Sequence, residues 1–406
     1  MHQPLTGTIV LDLGRMLAGD FGSMLLGDMG ADVIKIEEPK GGDPLRAMAP
    51  HFLAGESAYF LSINRNKRSL TLDMTKPKGK EIFQKLVKKA DVVFDNFRPG
   101  ILERLGADYE TVRKVNPKII SCSISSYGAT GPFKEMPGFD LVLQALSGSM
   151  SITGEPGRDP VRMGIPMGDL AGAMFAAQSI AAALYAREKT GQGCRIDLSL
   201  LDCLVALLTY VAEYFFVGKE LAGPSGSGHM SVVPYRAYKT KDGHLTIAVF
   251  VEKFWEKLCT VIGRPECGND PRFATQPARL VNRKEVDSML EAAFASKTTD
   301  EWMALLYKEG VPAAPVLTVD KVFTHPQILA RNMLVEIEHA KCGKLKMIGN
   351  PLKLHSPDPA GQGIARELTP PLNPSPLLGE HTAEVLSQFL GYTRTDIEAL
   401  RREGVV

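Results

Sequence analysis

Residues 8–37, TIVLDLGRMLAGDFGSMLLGDMGADVIKIE, decide the fold. TIVLDL (8–13) is an apolar run of strand length, and ADVIKIE (31–37) is a second. Residues 18–29 between them carry a helical pattern. A hairpin needs only a tight turn, whereas two strands joined through a helix need a parallel crossover. The unit then repeats. RSLTLDM (68–74) predicts a strand, 76–90 a helix with Ile82, Phe83, Leu86 and Val87 on one face, and DVVFDNF (91–97) a strand. A helix broken near Gly106 fills 100–115, and KIISCSIS (118–125) is the next strand. Alternation of this kind predicts an α/β fold: a Rossmann-like parallel sheet covered on both faces.

Beyond residue 125 the texture changes. Residues 138–187 read as mainly helical and 196–217 as a second apolar helix. AGPSGSGHMSVVP (222–234) is a linker or a loop. A hairpin follows over 235–250 with its turn at 241–243, then helices at 252–262, 283–296 and 299–309. Residues 330–355 suggest an antiparallel pair, and the tail from Gly379 is helical. We therefore expect a large discontinuous domain (1–225 and 326–406) and a smaller α/β domain (226–325).

Bulk properties narrow the class. The 406 residues are 44% apolar and 23% charged with a formal charge of +1, so no global field draws the chain to nucleic acid or a membrane. The six cysteines are scattered without a CxxC pair and read as reduced thiols of a cytoplasmic protein. Residues 1–14 lack the pattern of a signal peptide. The apolar run 170–186 holds Gln178 and Ser179 and ends in Arg187, Glu188 and Lys189, which predicts a core helix, not a membrane span. The histidines form no HExxH or HxH, and no metal is expected.

Candidate sites each carry a plain structural alternative. Gly14, Gly19 and Gly22 follow the first strand, but not in the spacing of a G-x-G-x-x-G dinucleotide loop. The turn that holds Met16, Leu17 and Ala18 still lies where open α/β sheets bind ligands; equally, its glycines could serve packing alone. Arg65, Lys67, Arg68, Arg98 and Arg104 suit phosphate, or they form a solvated surface. Asn96-Phe97 ends a strand, where Phe97 stacks a base or packs the core. Asp169 precedes an apolar helix and reads as its N-cap, held ionised by helix N–H groups. A carboxylate kept ionised in an apolar site is also a usable nucleophile. Asp140 sits at a second helix start, with the same alternatives.

The motifs LDLGRMLAGDFGSMLLGDMGADVIKIEEPKGGDPLR, NRNKRSLTLDM, DNFRPGILERLG, SSYGATGP, the stretch 168–202, VPYRAYKTKDG and PLLGEHT run in order along the whole chain. In that order the chain resembles the class III CoA-transferases, with VPYRAYKTKDG and NRNKRS closest to the succinyl-CoA–dicarboxylate branch. The resemblance implies an interlocked dimer of ring-shaped subunits; a hetero-oligomer with a related subunit also fits. It implies Asp169 as nucleophile, with Asp140 positioning it or an acceptor group. CoA contacts fall on Leu17, Ala18, Leu72, Asp73, Met74, Thr75, Asn96, Phe97, Arg98, Arg104 and Phe139. Acyl-CoA and a carboxylic acid are then substrates, succinyl-CoA the expected donor, and no cofactor is permanently bound. A loop at 223–228 matches the family's glycine-rich cover in position.

Two departures stand out. Glu38 and Pro137 replace basic residues of the formyl-CoA branch, for which Lys40, Arg46 or Arg65 would compensate. A dicarboxylate also needs a cation for its distal end, and Arg15, Arg46, Arg162 and 229–236 supply candidates. α-Methylacyl-CoA racemases are similar over the same motifs, but the His of their acid/base pair corresponds to Phe139 here. A non-catalytic partner subunit is the other alternative, and the presence of Asp169 weighs against it.

Overall fold

The computed structural model describes residues 3–357, 364–367 and 371–406. Its main sheet holds β1 (Ile9–Asp12), β2 (Asp32–Glu37), β3 (Lys67–Thr71), β4 (Val92–Asp95), β5 (Ile120–Ser125) and β6 (Arg195–Ser199). All neighbours pair in parallel, in the order β3-β2-β1-β4-β5-β6. The order reverses direction between β1 and β4. A crevice opens outside the carboxyl ends of the strands at such a switch point.

Neighbouring residues on each strand feed opposite faces, so the strands read as continuous apolar runs. Val10, Val33, Val92, Phe94, Ile120 and Ile124 face α1 (Met16–Gly27), while Leu11, Ile34, Leu70 and Val93 face α2 (Pro77–Val87) and carboxyl-terminal residues such as Val385 and Leu400. On the α1 side lies also α3 (Asp140–Leu146), through Leu143, and the long α4 (Met167–Thr190). By length and composition α4 could cross a bilayer. It packs instead against α1 and α5 (Leu200–Ala206), with Ala173, Ala176 and Ile180 fully buried. It is a core helix, as its interrupted apolar pattern predicts.

The outer edge of β3 is sealed by the far end of the chain. Ser69 N–H donates to His381 Nδ1 (3.2 Å), His381 N–H returns to Ser69 C=O (2.9 Å), and Thr71 N–H donates to Thr382 Oγ1 (3.1 Å).

The described chain divides into two compact units: residues 1–149, 163–210 and 326–406, and residues 150–162 with 211–325. The second unit carries an antiparallel sheet of β7 (Tyr235–Lys239), β8 (His244–Ala248) and β9 (Ala313–Pro315). Trp255, Phe294 and Trp302 fill its core. Arg279 is fully buried there, donating to Val233 C=O (2.8 Å), Phe273 C=O (2.9 Å) and Glu252 (2.7 Å).

One expectation about elements needs correction. Residues 196–217 are not one helix. Ile196 and Leu198 alternate inward on edge strand β6, Ser199 Oγ caps α5 by accepting from Asp202 N–H (3.1 Å), and a break at 207–209 precedes α6 (Tyr210–Gly218). Residues 138–187 are mainly helical, as expected, with α3 and α4 separated by 152–166, where no regular helix forms.

Candidate active site

A cavity of about 390 Å³ opens at the switch point. The turn after β1 contributes Arg15, Met16, Leu17 and Ala18; the segment after β4 contributes Asn96, Phe97 and Arg98. Ser125, Ser126 and Tyr127 follow β5 into the same space, and Phe139 and Asp169 come from the starts of α3 and α4. A second cavity of about 120 Å³ lies at the ends of β1, β2 and β3, lined by Arg15, Glu38, Leu72, Asp73, Met74, Thr75 and Phe97. Leu72 and Met74 are buried in the core and form a floor, while Asp73 accepts from Thr75 N–H (3.0 Å) and Oγ1 (2.5 Å). Phe97 and Arg15 line both spaces, with the guanidinium carbon 5.0 Å from the ring centroid. Arg104 lines neither cavity and its side chain is exposed.

Asp169 is not the cap of its helix. α4 begins at Met167, which puts Asp169 third in the helix, and no side chain caps from Pro166. The capping carboxylate is Asp140: its Oδ1 accepts from Gly168 N–H (2.7 Å) and its Oδ2 from Gln144 Nε2 (2.6 Å). A Cβ on Gly168 would lie 3.0 Å from Asp140 Oδ1 and 3.1 Å from Leu204 Cδ1, so glycine is what lets the two helix starts meet. Asp140 thus spends its charge on two donors. Among the described residues Asp169 has no such partner, and burial, then the charge of Asp140, push its carboxyl up to about 7. It is therefore not held firmly ionised, as a cap would be.

The basic cluster also differs from expectation. Lys67 is buried against Asp12 (3.2 Å), Arg65 grips Asp28 through two bonds (2.9 and 2.5 Å), and Arg68 pairs with Asp32 and Glu384. Arg46 is bidentate to Glu37 (2.7 Å each) with its guanidinium 3.8 Å from the Phe60 ring centroid. These cations hold the fold and are committed to carboxylates, so neither Arg46 nor Arg65 replaces the basic residues absent at 38 and 137. The cations that do line the main cavity are Arg15, Arg98 and Lys134. Arg236, in the second unit, pairs with Asp287 (3.4 Å) and Glu291 (3.2 Å).

Gly14 and Gly19 are packing glycines. A Cβ on Gly14 would stand 2.7 Å from Asp12 Oδ1 and 3.0 Å from Gly19 Cα.

Residues 5–382 match the family model described as CoA-transferase family III. The chain belongs to that family. As a family III CoA-transferase it is 40% identical to succinyl-CoA:glutarate CoA-transferase of Mus musculus over 404 residues, all of this chain and 90% of the relative. It is 35% identical to succinate–glutarate CoA-transferase of Agrobacterium fabrum over 97% of each chain. The crystal structure of a CAIB/BAIF family protein from Brucella suis superposes with a TM-score of 0.82 at 35% identity, covering 96% of this enzyme and all of that chain. Enzymes of this family use CoA thioesters as substrates.

Sequence reasoning missed several lining residues of the CoA-transferase. Tyr59, Lys134 and Met136 reach the main cavity from segments without a recognisable motif. Tyr59 lies close enough to Asp169 and Asp140 for their charges, after burial, to raise its hydroxyl pKa. An exposed Tyr on a six-residue helix carries no signal in a single sequence.

Proposed function

We propose that the enzyme moves CoA reversibly from succinyl-CoA to a free dicarboxylic acid through Asp169. An Asp169 oxygen attacks the thioester carbonyl, the C–S bond breaks, and CoA thiolate leaves a mixed anhydride. The thiolate then attacks the aspartyl carbonyl, expelling succinate and leaving an aspartyl-CoA thioester. The acceptor carboxylate attacks that thioester, releasing thiolate and forming a second anhydride. Attack of the thiolate on the acceptor's carbonyl yields the new acyl-CoA and restores the Asp169 carboxylate. One thioester is consumed and one formed, and the energy stays in covalent intermediates.

The observation that carries this reading is a carboxylate without a cation or capping partner on the wall of the switch-point cavity. Burial makes it a better nucleophile when ionised, because little solvation has to be stripped from it. Asp140 fixes the helix start that presents it, as a positioning residue. The names of the relatives support succinyl-CoA and a dicarboxylate. Arg15 is the cation we assign to the distal carboxylate. Like Arg98 and Lys134 it lines the cavity and enters no ion pair among the described residues, and of the three it also lines the second cavity, with its guanidinium carbon 5.0 Å from the Phe97 ring centroid. Phe139 at the cavity rim leaves no His beside Asp169 for the two-base proton exchange of a racemase.

The exposed aromatic face of α6, which buries none of its residues, supports a subunit interface and with it the dimer.

Incubation with succinyl-CoA and a panel of mono- and dicarboxylic acids, with new CoA esters read by mass, tests the assignment. Dicarboxylate esters are expected, and Asp169→Ala is expected to lose at least about a thousandfold in rate. Full transfer by Asp169→Ala would overturn it.

A further inference from the structure

We propose that Asn96, Asp43 and Lys35 are positioning residues of the transfer reaction, which hold the turn at 14–16 in a conformation its own sequence disfavours. The inference rests on the reading of the switch-point cavity as the site of CoA transfer.

The turn after β1 is held almost entirely by side chains from elsewhere. Gly14 N–H donates to Asp12 Oδ1 (2.8 Å), and Gly14 C=O accepts from Lys35 Nζ (2.8 Å). Arg15 N–H donates to Asn96 Oδ1 (2.8 Å), and Arg15 C=O accepts from Asn96 Nδ2 (2.7 Å). Met16 N–H points at Asp43 Oδ1 (3.5 Å). Five successive main-chain polar groups thus meet side chains, four of them from residues at least 21 positions away in the case of Lys35 and 81 in the case of Asn96.

What these bonds hold is strained. Met16 has φ +58°, the left-handed region that a residue with a Cβ adopts at a cost. Backbone strain of this kind persists only where the surroundings over-determine it, and it gathers at functional sites. Here Met16, Leu17 and Ala18 line the cavity, beside the segment that carries Asn96. Both polar ends of the Asn96 amide are occupied by Arg15. Asn96 therefore serves the substrate through the shape of the turn, and this differs from the direct contact expected of it.

The holding groups are themselves locked. Lys35 Nζ also donates to Asp20 (2.6 Å) and Asp43 (2.9 Å), and all three side chains are almost wholly buried. Lys67 completes the cluster with Asp12 (3.2 Å) and Asn64 Oδ1 (2.9 Å), and Asn64 Nδ2 returns to Asp20 (2.8 Å). A turn bolted to such a cluster cannot relax when substrate enters or leaves.

The test is a coupling measurement with succinyl-CoA as donor and glutarate as acceptor. Asn96→Ala is placed in three backgrounds: native, Met16→Gly and Met16→Ala. Glycine takes φ +58° without strain, whereas alanine trims the same side chain but keeps the Cβ. In the native background Asn96→Ala is expected to lower kcat/KM about tenfold, the size of one left-handed penalty. In the Met16→Gly background the loss shrinks to about threefold or less, and in Met16→Ala it stays about tenfold. Equal losses in all three backgrounds, or no loss in the first, would overturn the proposal. Should Asn96→Ala melt too low to assay, Asn96→Asp, which keeps the acceptor for Arg15 N–H and loses the donor, is read the same way. Asp169→Ala measured alongside separates the two readings: if it is inactive and the coupling is absent, only the positioning role falls.

Discussion

Two groups of carboxylates lie at the carboxyl ends of the same sheet and are treated in opposite ways. Beneath the β1 turn, Asp12, Asp20 and Asp43 meet Lys35 and Lys67 at hydrogen-bond distance, with every side chain out of solvent. On the cavity wall, Asp169 meets no cation. Burial works against charge in both places. In the first it is outweighed for Lys35, whose pKa lies above the ordinary lysine value because Asp20 and Asp43 face it. In the second nothing outweighs it. In the cluster three aspartates share two lysines, and burial still pushes Asp20 up to about 7. What sets Asp169 apart is that it stands on the cavity wall without a lysine or arginine beside it.

The comparison can be broken at its strongest point by Lys35→Met. Removing one partner leaves Asp43 without a counter-ion and Asp20 with Lys67 alone, at 3.8 Å, and about 3–5 kcal/mol of stability is expected to go. A urea melt reads this as a lower midpoint. Lowering the pH should narrow the deficit, because the stranded carboxylates then take up protons. An unchanged midpoint would mean the cluster is not the floor described here.

Asp169→Asn acts in the other direction. The carboxyl titrates at about 7 in the folded protein against 3.8 as the ordinary value, so the native state holds its proton more tightly than the unfolded chain does. Its stability is full below about pH 4 and falls as pH rises through 7. The variant has no charge to bury. It should match the native protein near pH 4 and exceed it by about 4 kcal/mol at pH 8, a gap that thermal melts at the two pH values measure. A gap of the opposite sign would show that Asp169 has a cationic partner.

The smallest effect belongs to the surface. Arg68 pairs with Asp32 and with the exposed Glu384, and Glu384→Ala removes the outer partner alone. A loss within about 1 kcal/mol is expected, vanishing in high salt. A larger loss would place this pair with the buried cluster.

Much of the fold was legible because it rests on local pattern. The crossover in 8–37, the hairpin at 235–248 and the helix at 299–309, which carries a full capping box at Thr298 and Glu301, are written in apolar spacing and turn chemistry. β6 was not legible, since RIDLS runs straight into an apolar helix and only its place at the sheet edge makes it a strand. The cavity-lining positions Leu17, Ala18, Asn96, Phe97 and Asp169 could be named from sequence order, but their work could not. Nothing local tells that Lys35, in the middle of VIKIE, is wholly buried, or that Lys67 and Arg65 are spent on aspartates 37 to 55 residues away. Partners so far apart along the chain leave no periodic trace. The cap of α4 was placed on Asp169 for the same reason: which carboxylate caps α4 is settled by where α3 begins, 28 residues earlier.

The seal on β3 has a consequence for the order of assembly. An open strand edge is a template for pairing with another chain. Here that edge is closed by His381 and Thr382, more than 300 residues after the strand itself. While the polypeptide is being made, the first βαβ unit leaves the ribosome long before its own lid exists. The strands of the sheet are complete by Ser199, but the sealing of this edge waits on residues 381–382, and until they are made β3 stands open to mispairing.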